Sequence, residues 1–212
     1  MFKKAVIVAA GDKSDISQLK KYIDKKTLII GCDGGTVHLL SLGFVPHVVI
    51  GDLDSLPQTA KKKLEKVGVN FVIYPGEKDE NDLELALLYS VKSGVKDIII
   101  TGILGSRIDQ MQATINLLLH KKFSQLNIRI VEGKQEIFVG RGTVTLVGKK
   151  GDRLSLIPMQ KNVRGITTKG LKYKLANETL YLGSTRGISN EFTGPRAKIT
   201  LKKGTLLVVH EH

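Results

Sequence analysis

Six short apolar runs alternate with stretches of helical period across the first 130 residues, and that alternation leaves the chain few ways to fold. The runs fall at 5–10, 27–31, 48–50, 70–74, 97–101 and 128–131. They are rich in Val and Ile on consecutive positions, the pattern of strands covered on both faces. Between them lie helical patterns near 15–24, 34–42, 57–67, 80–93 and 108–121. Regular strand–helix alternation predicts an α/β fold: a Rossmann-like, mostly parallel sheet with right-handed crossovers and flanking helices.

After about residue 132 helical periodicity fades. Short strand-like runs recur at 136–139, 143–147, 153–158, 163–168, 179–182, 198–200 and 205–210, punctuated by ten glycines. That texture predicts an antiparallel β-sandwich or barrel. The expected division is an α/β catalytic domain at 1–132 and a β-rich domain at 133–212, with no low-complexity linker between them.

In open parallel sheets, ligands bind beyond the carboxyl ends of the strands. The polar, glycine-containing clusters fall there: Gly11-Asp12, Cys32-Asp33-Gly34-Gly35, Gly51 to Ser55, Pro75 to Asp82 and Gly102 to Asp109. Four aspartates stand out among them. Asp52 and Asp54 follow an apolar run, and residues two apart on an extended strand point to the same side. Asp79 and Asp82 are spaced i,i+3 where a helix should begin, which would set them on one face. Hard oxygen ligands suit Mg²⁺, which takes one or two carboxylates plus substrate phosphates. Helix capping is the ordinary alternative for each pair, and Ser55 is a further cap candidate.

The surroundings are basic. Lys and Arg total 33 against 20 Asp and Glu, a net charge of +13. Residues 1–130 hold 18 basic and 14 acidic residues, and residues 131–212 hold 15 and 6, with Asp152 the only aspartate of the second half. Such a balance favours an anionic partner, a polyphosphate or a nucleic acid, or simply solubility. Aromatic residues make up only 5% and no nucleic-acid-binding motif occurs, so no nucleic acid is expected. A single cysteine, Cys32, excludes an intramolecular disulfide and fits a reducing cytosol. The apolar run at 5–10 is too short for a signal peptide, and no stretch approaches the ~20 apolar residues that cross a membrane.

Neither G-x-x-x-x-G-K-[ST] nor G-x-G-x-x-G occurs, so the P-loop and the dinucleotide fingerprint are missing. The paired glycines after the second run let a backbone approach an anion closely. Lys78 can meet a phosphate as a point charge and Arg107 as a fork of donors. Asp109 opens a predicted helix, where capping again competes with a ligand role. Residues 184–191 read as a polar loop: a hairpin turn, or a lip offering hydrogen bonds to a small polar ligand. His38, His47 and His120 are isolated, and His210 and His212 fall in the C-terminal tail.

Five motifs in order resemble the bacterial thiamine pyrophosphokinases: Asp-Gly-Gly at 33–35, Gly-Asp-Leu-Asp-Ser at 51–55, Lys-Asp-x-x-Asp at 78–82, Gly-x-x-Gly-x-Arg-x-Asp at 102–109 and Arg-Gly-Ile-Ser-Asn at 186–190. The resemblance implies transfer of the diphosphate of ATP to the hydroxyl of thiamine. It also implies a cytoplasmic homodimer in which the β-rich domain binds thiamine at the dimer interface. On that basis Asp52, Asp54 and Asp82 are expected to hold Mg²⁺. Gly11, Asp33, Gly34, Gly35, Lys78 and Arg107 are expected around the nucleotide. Asp82, Asp109, Ser189 and Asn190 are expected to face thiamine. Catalysis is expected from Asp82, Asp79 and Arg107, with Asp82 orienting or deprotonating the hydroxyl. Two positions depart from the family pattern: Asn81 stands where Thr is usual, and Gln110 where His is usual. Three rivals are a pyrophosphokinase for a pterin alcohol, a nucleic-acid-binding module, and an ATP sensor without turnover.

Overall fold

The computed structural model describes residues 2–12 and 14–212. It divides into two compact units, Met1–Gly133 and Lys134–His212.

The first unit is a parallel α/β layer. Its strands are β1 (Lys4–Val8), β2 (Thr27–Cys32), β3 (Val48–Gly51), β4 (Asn70–Ile73), β5 (Asp97–Thr101) and β6 (Asn127–Glu132). The order across the sheet is β6-β5-β1-β2-β3-β4, and every pairing is parallel. The inner strands are buried almost throughout, because helices cover both faces. β4 at the edge is half-exposed. The helices are α1 (Gly35–Ser41), α2 (Gln58–Lys66), α3 (Asp82–Lys92) and α4 (Ile108–Leu117). The segment expected as a helix at 15–24 is a 3-10 turn, Ser17–Tyr22. The helix expected to reach 121 stops at Leu117, and a second 3-10 turn, Lys121–Phe123, follows.

The chain enters at β1 in mid-sheet, winds outward to β4, then crosses back to β5 and β6. The direction of winding therefore reverses between β1 and β5, the topological switch where a crevice opens beyond the strand ends. There the backbones approach closely: Gly11 N–H donates to Gly102 O at 2.7 Å. A Cβ on Gly11 would stand 2.3 Å from Leu104 O, so only glycine fits.

The second unit is an antiparallel sandwich. One sheet runs β12 (Asn190–Glu191), β9 (Arg153–Pro158), β14 (Leu206–Glu211), β7 (Gln135–Gly140). The other runs β11 (Glu178–Tyr181), β10 (Asn162–Lys169), β13 (Arg196–Thr200), β8 (Thr143–Val147). Alternation along β9 sends Leu154 and Leu156 inward, and a bulge between Val163 and Ile166 keeps both of these on the inner face of β10; all four enter a core shared with Phe192, Ile199 and Val208. One feature lies outside the sequence expectation: the loop at 184–191 ends in a two-residue strand, β12, paired with Arg153 and Leu154. The run expected at 205–210 is β14, held between β7 and β9, so His210 belongs to a central strand and not to a tail.

Candidate active site

A cavity of about 660 Å³ lies within the first unit, lined by the segments that follow β1, β2, β3, β4 and β5. Of the expected site residues, Gly11, Asp33, Asp52, Lys78, Asp79, Asp82 and Arg107 face it. Gly34 and Gly35 do not form its wall. Gly35 is instead where α1 crosses β1: an added Cβ would stand 2.0 Å from Val8 O. Its lack of a side chain serves packing.

Asp52 and Asp54 come together by a different route from strand alternation. β3 ends at Gly51, and Leu53 adopts φ +66°, curling the chain. That curl brings carboxylate oxygens of Asp33, Asp52 and Asp54 within 4.8 Å of one another. Asp33 was expected on the nucleotide side; it joins this cluster because its own φ of +42° turns it at the end of β2. The Asp33 side chain is buried, and among the described residues its Oδ1 has no hydrogen-bond partner. Burial pushes the Asp33 carboxyl above the ordinary range. A bond from Ser55 and the Gly34 N–H pull it back, while Asp54 and Asp52 push it further up.

Capping does not account for these acids. Pro57 occupies the N-cap of α2 with no side-chain bond, and Ser55 Oγ donates to Asp54 Oδ1 at 2.8 Å. Asn81 caps α3, its Oδ1 accepting from Glu84 N–H at 2.8 Å. Helix α3 begins only at Asp82, so Asp79 precedes the cap and the two acids share no helical face. Asp82 pairs with Lys78 at 2.7 Å, both side chains largely shielded. Glycine at position 51 leaves open space between Asp33 and Asp82: a Cβ there would lie 3.1 Å from each. Arg107 grips Asp109 through two bonds, Nε to Oδ1 at 2.9 Å and a terminal nitrogen to Oδ2 at 2.6 Å. That guanidinium lowers the Asp109 carboxyl to about 2, although both side chains are exposed. The two departures from the family pattern meet: Asn81 Nδ2 lies 3.5 Å from Gln110 Oε1.

Three residues outside the expected site set brace the loop at 102–107. Asp12 Oδ1 accepts from Ser106 N–H at 2.8 Å, and Ser14 Oγ accepts from Leu104 N–H at 2.8 Å. Glu132 Oε1 accepts from Ile103 N–H at 2.6 Å. Glu132 is buried, and burial raises its carboxyl against the opposing bonds from Ile103, Ser14 and Gly102. Each is a lone polar residue nearly thirty or more positions from its partner, and only folding brings them together.

Ser189 and Asn190 belong to the second unit. Ser189 is exposed at φ +57° and donates its N–H to Ser155 Oγ. Asn190, expected to offer its amide to a ligand, is buried and already engaged. Its Oδ1 accepts from Tyr173 N–H and its Nδ2 donates to Tyr173 O at 2.7 Å.

A carboxylate cluster facing Lys78 and Arg107, beyond the carboxyl ends of a parallel sheet, defines an α/β enzyme that handles phosphate groups. Residues 19–130 match the family described as thiamin pyrophosphokinase, catalytic domain, and residues 142–206 match thiamin pyrophosphokinase, vitamin B1 binding domain. The thiamine pyrophosphokinase of Bacillus subtilis (strain 168) is 35% identical over 205 residues, 96% of each chain. A crystal structure of thiamine pyrophosphokinase from Bacillus subtilis superposes with a TM-score of 0.89 at 34% identity, covering 99% of both chains. That of thiamin pyrophosphokinase from Geobacillus thermodenitrificans gives 0.86 at 31%, covering 99% of this chain and 97% of the other. The chain belongs to the thiamine pyrophosphokinase family, and its reaction is ATP-dependent formation of thiamine diphosphate.

Proposed function

We propose that the cavity in the first unit is where the β,γ-diphosphate of ATP passes to the hydroxyl of thiamine, and that Mg²⁺ is held there by Asp33, Asp52 and Asp54. The observation that carries the metal assignment is the buried, unpartnered Oδ1 of Asp33 beside two more carboxylates. Three acids this close repel unless a cation sits among them, and hard oxygen donors fit magnesium. Bound there, the ion would neutralise charge developing on the phosphates. Asp82, expected among the metal ligands, is better read as the partner of Lys78.

The chain's own groups do the rest. Lys78 holds a phosphate oxygen while keeping Asp82 oriented. The thiamine oxygen bonds to the β-phosphorus as the bond from that phosphorus to the bridging oxygen breaks. AMP leaves with the bridging oxygen and its electron pair. Asp82 accepts the hydroxyl proton, with Asp79 on the same wall as the alternative acceptor. A strong base is unnecessary, because positioning dominates phosphoryl transfer. Arg107 exchanges part of its grip on Asp109 for phosphate, which releases the Asp109 carboxylate to face the fixed positive charge of thiamine. Within the second unit, Asn190 holds the segment that carries Ser189 through its two bonds to Tyr173. Gly11 lets the nucleotide approach the backbone at the switch point.

A homodimer is part of the same proposal. Tyr173, Tyr181, Leu182 and Ile188 are each 47–61% exposed in the second unit, which supports a partner surface there. Light scattering at micromolar concentration reads it directly. No described helix is long and apolar enough to cross a membrane, and a cytosolic location fits the single, buried Cys32.

The deciding experiment is AMP release from ATP and Mg²⁺ with and without thiamine, with mass detection of thiamine diphosphate. Thiamine-dependent AMP and the matching product are expected. AMP release that depends on hydroxymethylpterin instead would select the rival acceptor.

A further inference from the structure

The second unit holds a corner that the reaction does not use. His210 on β14 is 1% exposed, and among the described residues its Nε2 is buried with no hydrogen-bond partner. Asp152, the only aspartate of that unit, points its Oδ2 at this nitrogen from 3.6 Å. Asp152 Oδ2 also accepts from Lys149 N–H at 2.6 Å, which fixes it in the turn before β9. The His212 ring lies against His210, centroids 4.1 Å apart. One donor atom from each of Asp152, His210 and His212 falls within 4.8 Å of the other two. Gly148 closes the corner: a Cβ there would stand 2.8 Å from Asp152 Oδ2 and 3.1 Å from His210 Nε2.

We infer that Asp152, His210 and His212 form a binding site for a divalent transition metal of the zinc type, separate from the acidic pocket. Zinc bonds to imidazole nitrogen and carboxylate oxygen run about 2.0–2.2 Å, so tetrahedral geometry sets two ligands roughly 3.3–3.6 Å apart. Asp152 Oδ2 and His210 Nε2 stand at that spacing, slightly too far apart to hydrogen-bond and close enough to share an ion. Exposed His212 has only to turn its ring to join them, and a water completes the fourth position. Two imidazoles and one carboxylate favour zinc over magnesium, which prefers oxygen donors. The charges agree. Burial holds His210 below the ordinary histidine range, and His212 lowers it further, while Asp152 and Glu136 oppose. A neutral imidazole is the form that binds metal. Leu154 and Glu136 flank His210 across the sheet, and the Phe192 ring stacks on it at 4.8 Å.

The ion would join the end of β14 to the turn at 148–152. Gly151 N–H donates to Phe192 O, and Phe192 N–H donates to Asp152 O, so that turn also braces β12 and Asn190.

The test is zinc titration of the full chain against a chromogenic chelator, with millimolar Mg²⁺ present to occupy the acidic pocket. One equivalent per chain is expected. Affinity should fall at least about tenfold in His212→Ala or Asp152→Asn, and stay unchanged in Asp54→Asn. His212 is exposed, so its variant keeps the fold. Cobalt substitution should give the intense visible bands of a four-coordinate ion, weakening as falling pH lets protons compete for the imidazoles. No saturable zinc binding under magnesium, or binding lost in Asp54→Asn but kept in His212→Ala, overturns the site.

Discussion

Two acidic walls at the carboxyl edge of the parallel sheet treat negative charge in opposite ways. On one wall Asp33, Asp52 and Asp54 crowd together, their oxygens within 4.8 Å of one another, and none of the three is in an ion pair among the described residues. On the other, Asp82 is paired with Lys78 and Asp109 with Arg107. On the proposed reading the first wall takes its cation from solution, and the second, neutral by itself, trades its partners when phosphate enters. The proposed diphosphate transfer uses both behaviours: a fixed seat for metal, and exchangeable cations that follow the phosphates.

The sharpest way to break that comparison is to disarm the metal wall. Asp54→Ala should lower thiamine-dependent AMP release by more than about 10³-fold while circular dichroism and Tm stay near wild type. Near-normal turnover in Mg²⁺ would remove the metal assignment. On the paired wall, Lys78→Ala should cost about 10²-fold in kcat/KM for ATP, because Asp82 loses its orienting partner along with the phosphate contact. Arg107→Lys keeps the charge and loses the two-pronged grip, so about a tenfold loss is expected, seen chiefly in KM.

Stability separates the walls by sign. The folded Asp33 carboxyl titrates above its unfolded value of 3.8, so its ionisation works against the fold once pH rises past that value. Asp33→Asn should therefore raise the Tm of the magnesium-free protein at neutral pH, by about 2–4 °C for each kcal/mol recovered. The difference should vanish at pH 3, and Mg²⁺ should stabilise only the wild type. A variant less stable at every pH would show that the carboxylate supports the fold instead. Asp109 has the opposite sign. Its carboxyl titrates near 2, so its pairing is intact above the unfolded value and lost only as pH falls toward 2. Asp109→Asn should leave Tm within about a degree, since exposed pairs contribute little. Its expected effect is a modest rise in KM for thiamine.

Much of this molecule was legible in the chain because the relevant signals are local. A run such as Asp97 to Thr101 announces a buried parallel strand by composition alone, and the structure ends that strand at the same residues. Asp52, Lys78, Asp82 and Arg107 are conspicuous because loops after such strands converge at one sheet edge whatever their details. Strand alternation nevertheless does not place Asp52 and Asp54, since the strand has already ended and a left-handed Leu53 sets their geometry. Asp79 shares no helical face with Asp82 for a similar reason: Asn81 takes the cap and the helix starts only at Asp82.

What the sequence determined by itself, then, is what depends on neighbours along the chain: the order of strands and helices, the change of texture near residue 132, and the loops where phosphate chemistry gathers. Tertiary structure decided whatever depends on distance through space. It drew Asp33 into the carboxylate cluster, set Glu132 under the Ile103 amide, engaged Asn190 with Tyr173 and made His210 the buried neighbour of Asp152. The physical reason is range. Backbone preference and hydrophobic period act within a few residues, whereas desolvation and charge pairing take effect only once the folded chain has excluded water from a group and fixed what faces it.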